Sequence, residues 1–157
     1  MPNDQLVDEL HRERDAFFES LSRVTTASLT TPGLVGEWSA RELIAHLGYW
    51  VGNAAEVIHL VEQGRADEVG AGKPPTDEVN ETVARIARQT ELTTVQKREA
   101  ASTEALVERL RALDPALFES VLPDGATLAQ SIREDGSEHY RDHAGALRRA
   151  LDEAPRD

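Results

Sequence analysis

Apolar residues recur along this chain at intervals of three and four, which places them on one face of an α-helix. The pattern predicts four long helices and no convincing strand. The first helix is expected from residue 3 to about residue 24, with Asn3 as a candidate N-terminal cap. Its apolar positions are Leu6, Leu10, Phe17, Leu21 and Val24.

The second helix has the most complete start signal. Ser39 followed by Glu42 matches a capping box, and Trp38 with Leu43 supplies the hydrophobic staple that often accompanies one. The helix is predicted to run to about residue 63, and Gly64 stands where a helix commonly ends. Its apolar stripe consists of Leu43, Ile44, Leu47, Trp50, Val51, Ala54, Val57, Ile58 and Val61.

The rest of the chain predicts two further helices. Residues 65–75 form a polar connection that is long enough to cross a bundle. The third helix begins at Thr76 or Asp77, has a kinked or re-capped join at residues 93–94, and ends before Asp114-Pro115. The last runs from about residue 127 to 152, with a candidate break at Asp135-Gly136. The expected fold class is therefore all-α, a four-helix bundle with a long crossover between helices 2 and 3, forming one domain over residues 1–157.

Charge and composition narrow the possible partners. Seventeen Lys and Arg against 29 Asp and Glu give a net charge of −12, which repels phosphate backbones and anionic membranes, so neither nucleic acid nor a membrane is expected as a partner. There is no cysteine, which excludes a thiol nucleophile within the chain. The N-terminus lacks the pattern of a signal peptide, and the apolar residues 43–61 are interrupted by polar ones. A cytoplasmic location is expected.

Three histidines are candidates for a metal site. His139 and His143 are four residues apart, so they project from one helix face, but this spacing often arises by chance. Both fall on the apolar face of the last helix, and His46 falls within the apolar stripe of the second. Each could be an ordinary core histidine bonded to backbone or a carboxylate. Since buried imidazoles need partners for both ring nitrogens, three aimed at one core are best satisfied by a shared metal ion.

Two segments resemble a known family. GEWSARELIAHLGYW at 36–50 and EHYRDHAGALR at 138–148 are similar to the signature segments of the DinB-like superfamily, which includes DfsB-type proteins and the metal-binding domain of mycothiol-dependent maleylpyruvate isomerase. The resemblance implies a four-helix bundle with a divalent metal, zinc or nickel being usual, on His46, His139 and His143. In the isomerase branch a glutamate replaces the first histidine of the last helix. That branch also has a further C-terminal domain, for which this chain has no room, so isomerase activity is not expected.

Three neutral imidazoles leave at least one metal position open, as in catalytic sites. Imidazole ligands suit zinc, nickel, copper or iron, so the residues alone do not select the metal. A metal held in this way can activate water for hydrolysis or bind an external thiol as thiolate. The resemblance favours the thiol route, with mycothiol or bacillithiol as cosubstrate of a transferase that detoxifies small electrophiles. The alternatives are a non-catalytic metal- or ligand-binding bundle and a metal-dependent hydrolase that confers toxin resistance.

Two residues are weaker candidates for a substrate pocket. Trp50 lies one turn beyond His46, although an aromatic residue at this spacing is more often part of the core. Asn80 lies at the start of the third helix, where the resemblance implies a polar residue facing the site. Its alternative is an exposed first-turn asparagine. A homodimer is expected only because twofold symmetry is the commonest oligomeric arrangement.

Overall fold

The computed structural model describes residues 2–153, and these form six α-helices rather than four. The α-helical fold class is confirmed. The count differs because the third and fourth expected helices are each divided in two. The six helices are α1 (Pro2–Leu21), α2 (Ala40–Glu62), α3 (Thr76–Arg88), α4 (Leu92–Ala112), α5 (Leu128–Asp135) and α6 (Ser137–Glu153).

The two divisions have different local causes. Between α3 and α4, the Thr90 hydroxyl donates to the Ile86 carbonyl at 2.7 Å, and Glu91 adopts an extended conformation before the helix restarts. This join precedes the one expected at residues 93–94. Between α5 and α6, the break falls at Gly136 as predicted. A Cβ atom on Gly136 would lie 2.8 Å from the Ile132 carbonyl oxygen, so a larger residue would force this turn to shift.

Helix α2 lies at the centre of the bundle. It packs most extensively against α4 and also contacts α3 and α5, while α1 packs mainly against α6. Its start was predicted correctly: the buried Glu42 carboxylate accepts hydrogen bonds from the Ser39 backbone N–H and from the Ser39 hydroxyl, both at 2.8 Å. The helix ends at Glu62, just before Gly64. Its core face is fully buried and includes Leu43, Ile44, Leu47, Val51, Ala54 and Ile58.

The predicted cap at Asn3 is wrong. Helix α1 already begins at Pro2, and Asn3 is buried within its first turn. The Asn3 side-chain amide instead donates to the carbonyls of Leu110 and Leu113, at 2.7 and 2.8 Å. The last carbonyls of a helix have no partners within it, so this amide satisfies the end of α4. Helix α1 also ends at Leu21 rather than near Val24, because residues 22–24 continue in tighter turns.

The connections carry little regular structure. Residues 63–75 separate α2 from α3 and contain one short 3₁₀ turn, Ala66–Glu68. We call this segment the α2–α3 link. Within residues 2–153, no helix combines the length and apolar character that crossing a membrane requires.

Candidate metal centre

The structure brings His46, His139 and His143 together at the junction of α2 and α6. The Nε2 atom of His139 lies 2.8 Å from Nε2 of His46 and 3.1 Å from Nε2 of His143. One potential ligand atom from each residue lies within 4.8 Å of the other two. His46 is 6% exposed, and the other two are half-buried. We call these three residues the histidine cluster.

The local structure of each helix explains the convergence. On α2, His46 follows Leu43 by three residues and therefore shares its inward side. On α6, His139 and His143 are one turn apart, just beyond the break at Gly136. The fully buried line of α6 is formed by Tyr140, Ala144 and Leu147. The sequence placed the two histidines on the core face of this helix. In the structure they lie at the margin of that face, because Tyr140 fills its middle.

Hydrogen bonding within the chain does not satisfy the histidine cluster. A neutral imidazole nitrogen carries either one proton or one lone pair, so Nε2 of His139 can form a good hydrogen bond with only one of its two neighbours. The Nδ1 atoms of His46 and His139 are buried without a hydrogen-bond partner among the described residues. Three converging imidazole nitrogens are a donor set that suits zinc, nickel or another borderline divalent cation. The residues therefore fit the metal that the sequence implies.

The electrostatics keep these rings neutral. Burial lowers the pKa of His46 to about 3, and a positive charge on either neighbouring histidine would lower it further. Burial likewise lowers the pKa of His139 to about 4, with His143 acting in the same direction. The pKa of His143 is also lowered by burial, and Asp142 opposes this shift. Neutral imidazole is the form that binds a metal, so near neutral pH the cluster needs no deprotonation before binding.

A cavity of about 690 Å³ opens beside the histidine cluster, and we call it the site pocket. Both predicted pocket residues line it, together with His46 and His139. The Trp50 Nε1–H donates to Asn80 Oδ1 at 2.8 Å, which joins α2 to the start of α3. The α2–α3 link forms a further wall through Val69, Gly70, Lys73 and Pro74.

Sequence reasoning missed a hydrogen-bonded chain on the wall of the site pocket. Lys73 Nζ donates to Asn53 Oδ1 at 2.7 Å, and Asn53 Nδ2 donates to Asp135 Oδ2 at 2.9 Å. Burial raises the pKa of Asp135 to about 6, and the nearby charge of Glu134 acts in the same direction. In the sequence, Asp135 beside Gly136 indicated only a helix break. Lys73 is 20 residues from Asn53, so no local pattern connects them.

A second buried polar group was also missed. Glu99 is 2% exposed, and its carboxylate accepts two hydrogen bonds from Arg14, both at 2.7 Å. It also accepts from the Tyr140 hydroxyl at 2.5 Å and from the Thr103 hydroxyl at 3.1 Å. Burial raises the pKa of Tyr140, and the Glu99 charge raises it further, so the phenol stays protonated and donates. We call these four residues the Glu99 cluster.

Trp38 completes the surroundings of the site. Its ring centroid lies 5.0 Å from that of His46, so the residue predicted as half of a hydrophobic staple also contacts a candidate ligand. Gly48, two residues beyond His46, allows α4 to approach α2 closely. A Cβ atom there would lie 3.0 Å from the Glu99 Cα.

Comparison with known proteins identifies relatives of the fold. A model described as the DinB superfamily matches residues 9–147. No curated protein matches the chain at a significant level.

Three solved structures are similar over almost all of the chain. The mycothiol-dependent maleylpyruvate isomerase has a TM-score of 0.75 and 16% identity, covering 94% of this chain and 61% of that chain. The colibactin self-resistance protein ClbS, in complex with a dsDNA, has a TM-score of 0.76 and 14% identity, covering 98% and 97%. An uncharacterised protein from Escherichia coli UTI89 has a TM-score of 0.76 and 12% identity, covering 96% and 92%.

These identities are low, so the likeness is one of fold. The chain spans 61% of the length of the isomerase.

Proposed function

This chain belongs to the DinB superfamily, and on that premise we propose that His46, His139 and His143 bind one divalent metal ion, zinc or nickel, in a metal-dependent enzyme. The observation that carries the proposal is the convergence of the three Nε2 atoms, with that of His139 lying 2.8 and 3.1 Å from the other two. The neutral state of the rings supports it.

The reaction that we propose is transfer of an external low-molecular-weight thiol, mycothiol or bacillithiol, to a small electrophile. A divalent metal on three imidazoles would supply Lewis acidity that lowers the pKa of a bound thiol. The chain has no cysteine, so the thiol must come from outside it. Structural similarity to a mycothiol-dependent isomerase favours this class of cosubstrate.

The chain's own residues would bind and orient the substrate. The site pocket is of a volume usual for small-molecule sites. Trp50 would contact an apolar part of the substrate, while its indole N–H is already held by Asn80. Asn53, on the same helix as Trp50, is fixed between Lys73 and Asp135 and so ties the α2–α3 link and α5 to this wall of the pocket. These contacts would position the electrophile beside the histidine cluster and exclude water from it.

A second candidate is toxin resistance by hydrolysis or sequestration of a reactive metabolite. The similarity to a colibactin self-resistance protein supports it, because that likeness covers nearly the full length of both chains. The ClbS structure contains dsDNA. For this chain we propose that nucleic acid is not a partner, because its net charge is −12. A non-catalytic metal-binding bundle, a homodimer and a cytoplasmic location stay predictions.

Metal analysis of the untagged protein tests the proposal. We expect one zinc or nickel ion per chain in the wild type and well below one in His46→Ala, because the variant loses the most buried ligand. His59→Ala is the matched control: His59 is also on α2, but its Nδ1 lies 3.5 Å from Arg109, outside the histidine cluster. A wild-type protein without stoichiometric metal, or equal losses in both variants, contradicts the proposal.

A thiol comparison then separates the candidate reactions. Metal-loaded protein would be incubated with a model electrophile, with and without mycothiol or bacillithiol. Consumption that requires the thiol supports transfer. Consumption without it, giving the hydrolysed product, favours the hydrolase.

A further inference from the structure

The charged residues that line the site pocket are almost all acidic. Lys73 is the single lysine or arginine among the described lining residues, and its ammonium group donates to the neutral amide of Asn53 rather than to a carboxylate. The pocket therefore has five carboxyl groups against one ammonium, a stronger excess than the 29 to 17 of the whole chain. The five are Asp124, Glu134, Asp135, Glu138 and Asp142.

These carboxyl groups line the same cavity as two members of the histidine cluster, His46 and His139. Glu138 and Asp142 directly precede His139 and His143 in the sequence, and both line the pocket. Glu134 and Asp124 add to the effect of burial in raising the pKa of Asp135. Because these carboxylates line one cavity, their negative potentials add within it. A cleft lined by one sign of charge concentrates ligands of the opposite sign.

Two aromatic side chains of the pocket favour the same kind of ligand. Tyr49 and Trp50 are adjacent on α2 and both line the pocket, with ring centroids 5.1 Å apart and nearly perpendicular planes. The face of a tyrosine or tryptophan ring attracts a cation, and this attraction grows as water is excluded. Aromatic faces beside carboxylates are a typical environment for an ammonium group.

From this arrangement we propose that, among small electrophilic substrates, the site pocket favours those that carry a positively charged amine over anionic ones of similar size. The inference rests on the proposed function, since it takes the same pocket as the substrate site. It adds the charge class of the substrate, which the histidine cluster alone does not determine.

Fluorescence quenching measures this preference without any metal. In a Trp38→Phe variant, Trp50 is the only tryptophan, and it lines the pocket. The measured quantity is the quenching constant of the cation N-methylpyridinium divided by that of iodide. In low salt we expect this ratio to be about tenfold higher for Trp50 than for free tryptophan. Replacing Glu134→Gln, Glu138→Gln and Asp142→Asn together should remove most of that difference.

A matched triple variant separates the local field from the net charge of the chain. The control variant carries Asp8→Asn, Asp15→Asn and Glu104→Gln. It also loses three negative charges, but from exposed positions that do not line the pocket. This control should retain the wild-type quenching ratio. Equal quenching by the two ions in the wild type, or an equal loss in both triple variants, overturns the proposal.

Two thiols of opposite charge test the same preference at the metal. Cysteamine and 3-mercaptopropionate are similar in length but end in an ammonium and a carboxylate. Calorimetry on zinc-loaded protein gives the ratio of the cysteamine affinity to the 3-mercaptopropionate affinity. In the pocket variant, which carries Glu134→Gln, Glu138→Gln and Asp142→Asn, this ratio should fall by about tenfold in low salt and by less at high salt. The surface triple variant should preserve the ratio. An unchanged ratio in the pocket variant overturns the charge preference. If neither thiol binds, the thiol-transfer function fails, and the quenching result still decides the charge preference.

Discussion

Two clusters of polar side chains meet at α6, and they are built in opposite ways. In the Glu99 cluster, one carboxylate is surrounded by a guanidinium and two hydroxyl groups, and each of these donates to it. In the histidine cluster, three identical neutral rings face one another, and buried Nδ1 atoms have no partner among the described residues. Their nearest members, His139 and Tyr140, are consecutive in the chain.

The difference distinguishes a stabilising group from a binding site. Complementary groups that satisfy one another need no further partner, and their hydrogen bonds join α1, α4 and α6. Like groups that converge without satisfying one another cost stability until something else binds them. The four predictions below test this distinction, beginning with the largest expected effect.

Removing the central carboxylate should damage the fold most. Glu99→Ala leaves the Arg14 guanidinium and the Tyr140 hydroxyl without their acceptor, so we expect the free energy of unfolding to fall by about 3–5 kcal/mol. Urea denaturation measures this loss. Glu104→Ala, at an exposed position of the same helix, is the control and should change stability by less than about 0.5 kcal/mol. A loss below about 1 kcal/mol in Glu99→Ala would show that the cluster is not a stabilising one.

Metal should stabilise the protein through the histidine cluster alone. Zinc at about a thousand times its dissociation constant should raise the free energy of unfolding by about 4 kcal/mol. His143→Ala should lose most of this increment. Glu99→Gln should be less stable than the wild type without metal but should retain the increment on adding zinc. Thermal unfolding with and without zinc provides the measurement, and an equal increment in wild type and His143→Ala would contradict the assignment.

Acid should weaken the metal-free protein through the same histidines. The pKa of His46 is lowered to about 3 and that of His139 to about 4, whereas both return to about 6.5 on unfolding. Between these values the unfolded chain binds more protons than the folded protein, so stability falls as the pH falls. We expect about 2 kcal/mol of loss from each of these two residues, and so about 4 kcal/mol in all, between pH 6.5 and about pH 4.5.

The double variant His46→Ala, His139→Ala isolates this contribution. Its stability should vary less with pH over the same range, as measured by urea denaturation. If wild type and double variant lose equal stability, the histidines are not the source of the acid sensitivity.

The smallest effect should come from one hydroxyl group. Tyr140→Phe removes the donor to Glu99 but leaves the ring in the core, so we expect a loss of about 1.5 kcal/mol. Zinc affinity should change by less than about twofold, because the hydroxyl does not contact the histidine cluster. A larger change in affinity would show that the two groups are coupled through α6.

The sequence predicted what depends on neighbours along the chain. The capping box of Ser39 and Glu42, the break at Gly136 and the face shared by His139 and His143 are all local patterns. Apart from the shared site of His46, His139 and His143, which the family resemblance implied, interactions between distant segments were not predicted. Asn3 had the residue type of a cap, but its partners are 107 and 110 residues away.

The same limit explains why the Glu99 cluster was missed. Glu99 lies in a polar stretch of α4, KREAAS at 97–102, and resembles a solvated helix residue. Its burial follows from the close approach that Gly48 permits and from Arg14, which is 85 residues away. The histidines were found because each lies in an apolar stripe of its helix and because two segments that contain them resemble a known family. Their meeting across 93 residues still required the fold.

The α2–α3 link has a consequence for protein engineering. The link supplies one wall of the site pocket. The histidine cluster is carried by α2 and α6, and neither helix is part of the link. Doubling the length of a flexible loop costs only about 0.6 kcal/mol of closure entropy. Libraries of alternative segments between Glu62 and Thr76 can therefore be exchanged on an intact scaffold. Such libraries would vary the residues that line one wall of the pocket while the three histidines stay unchanged.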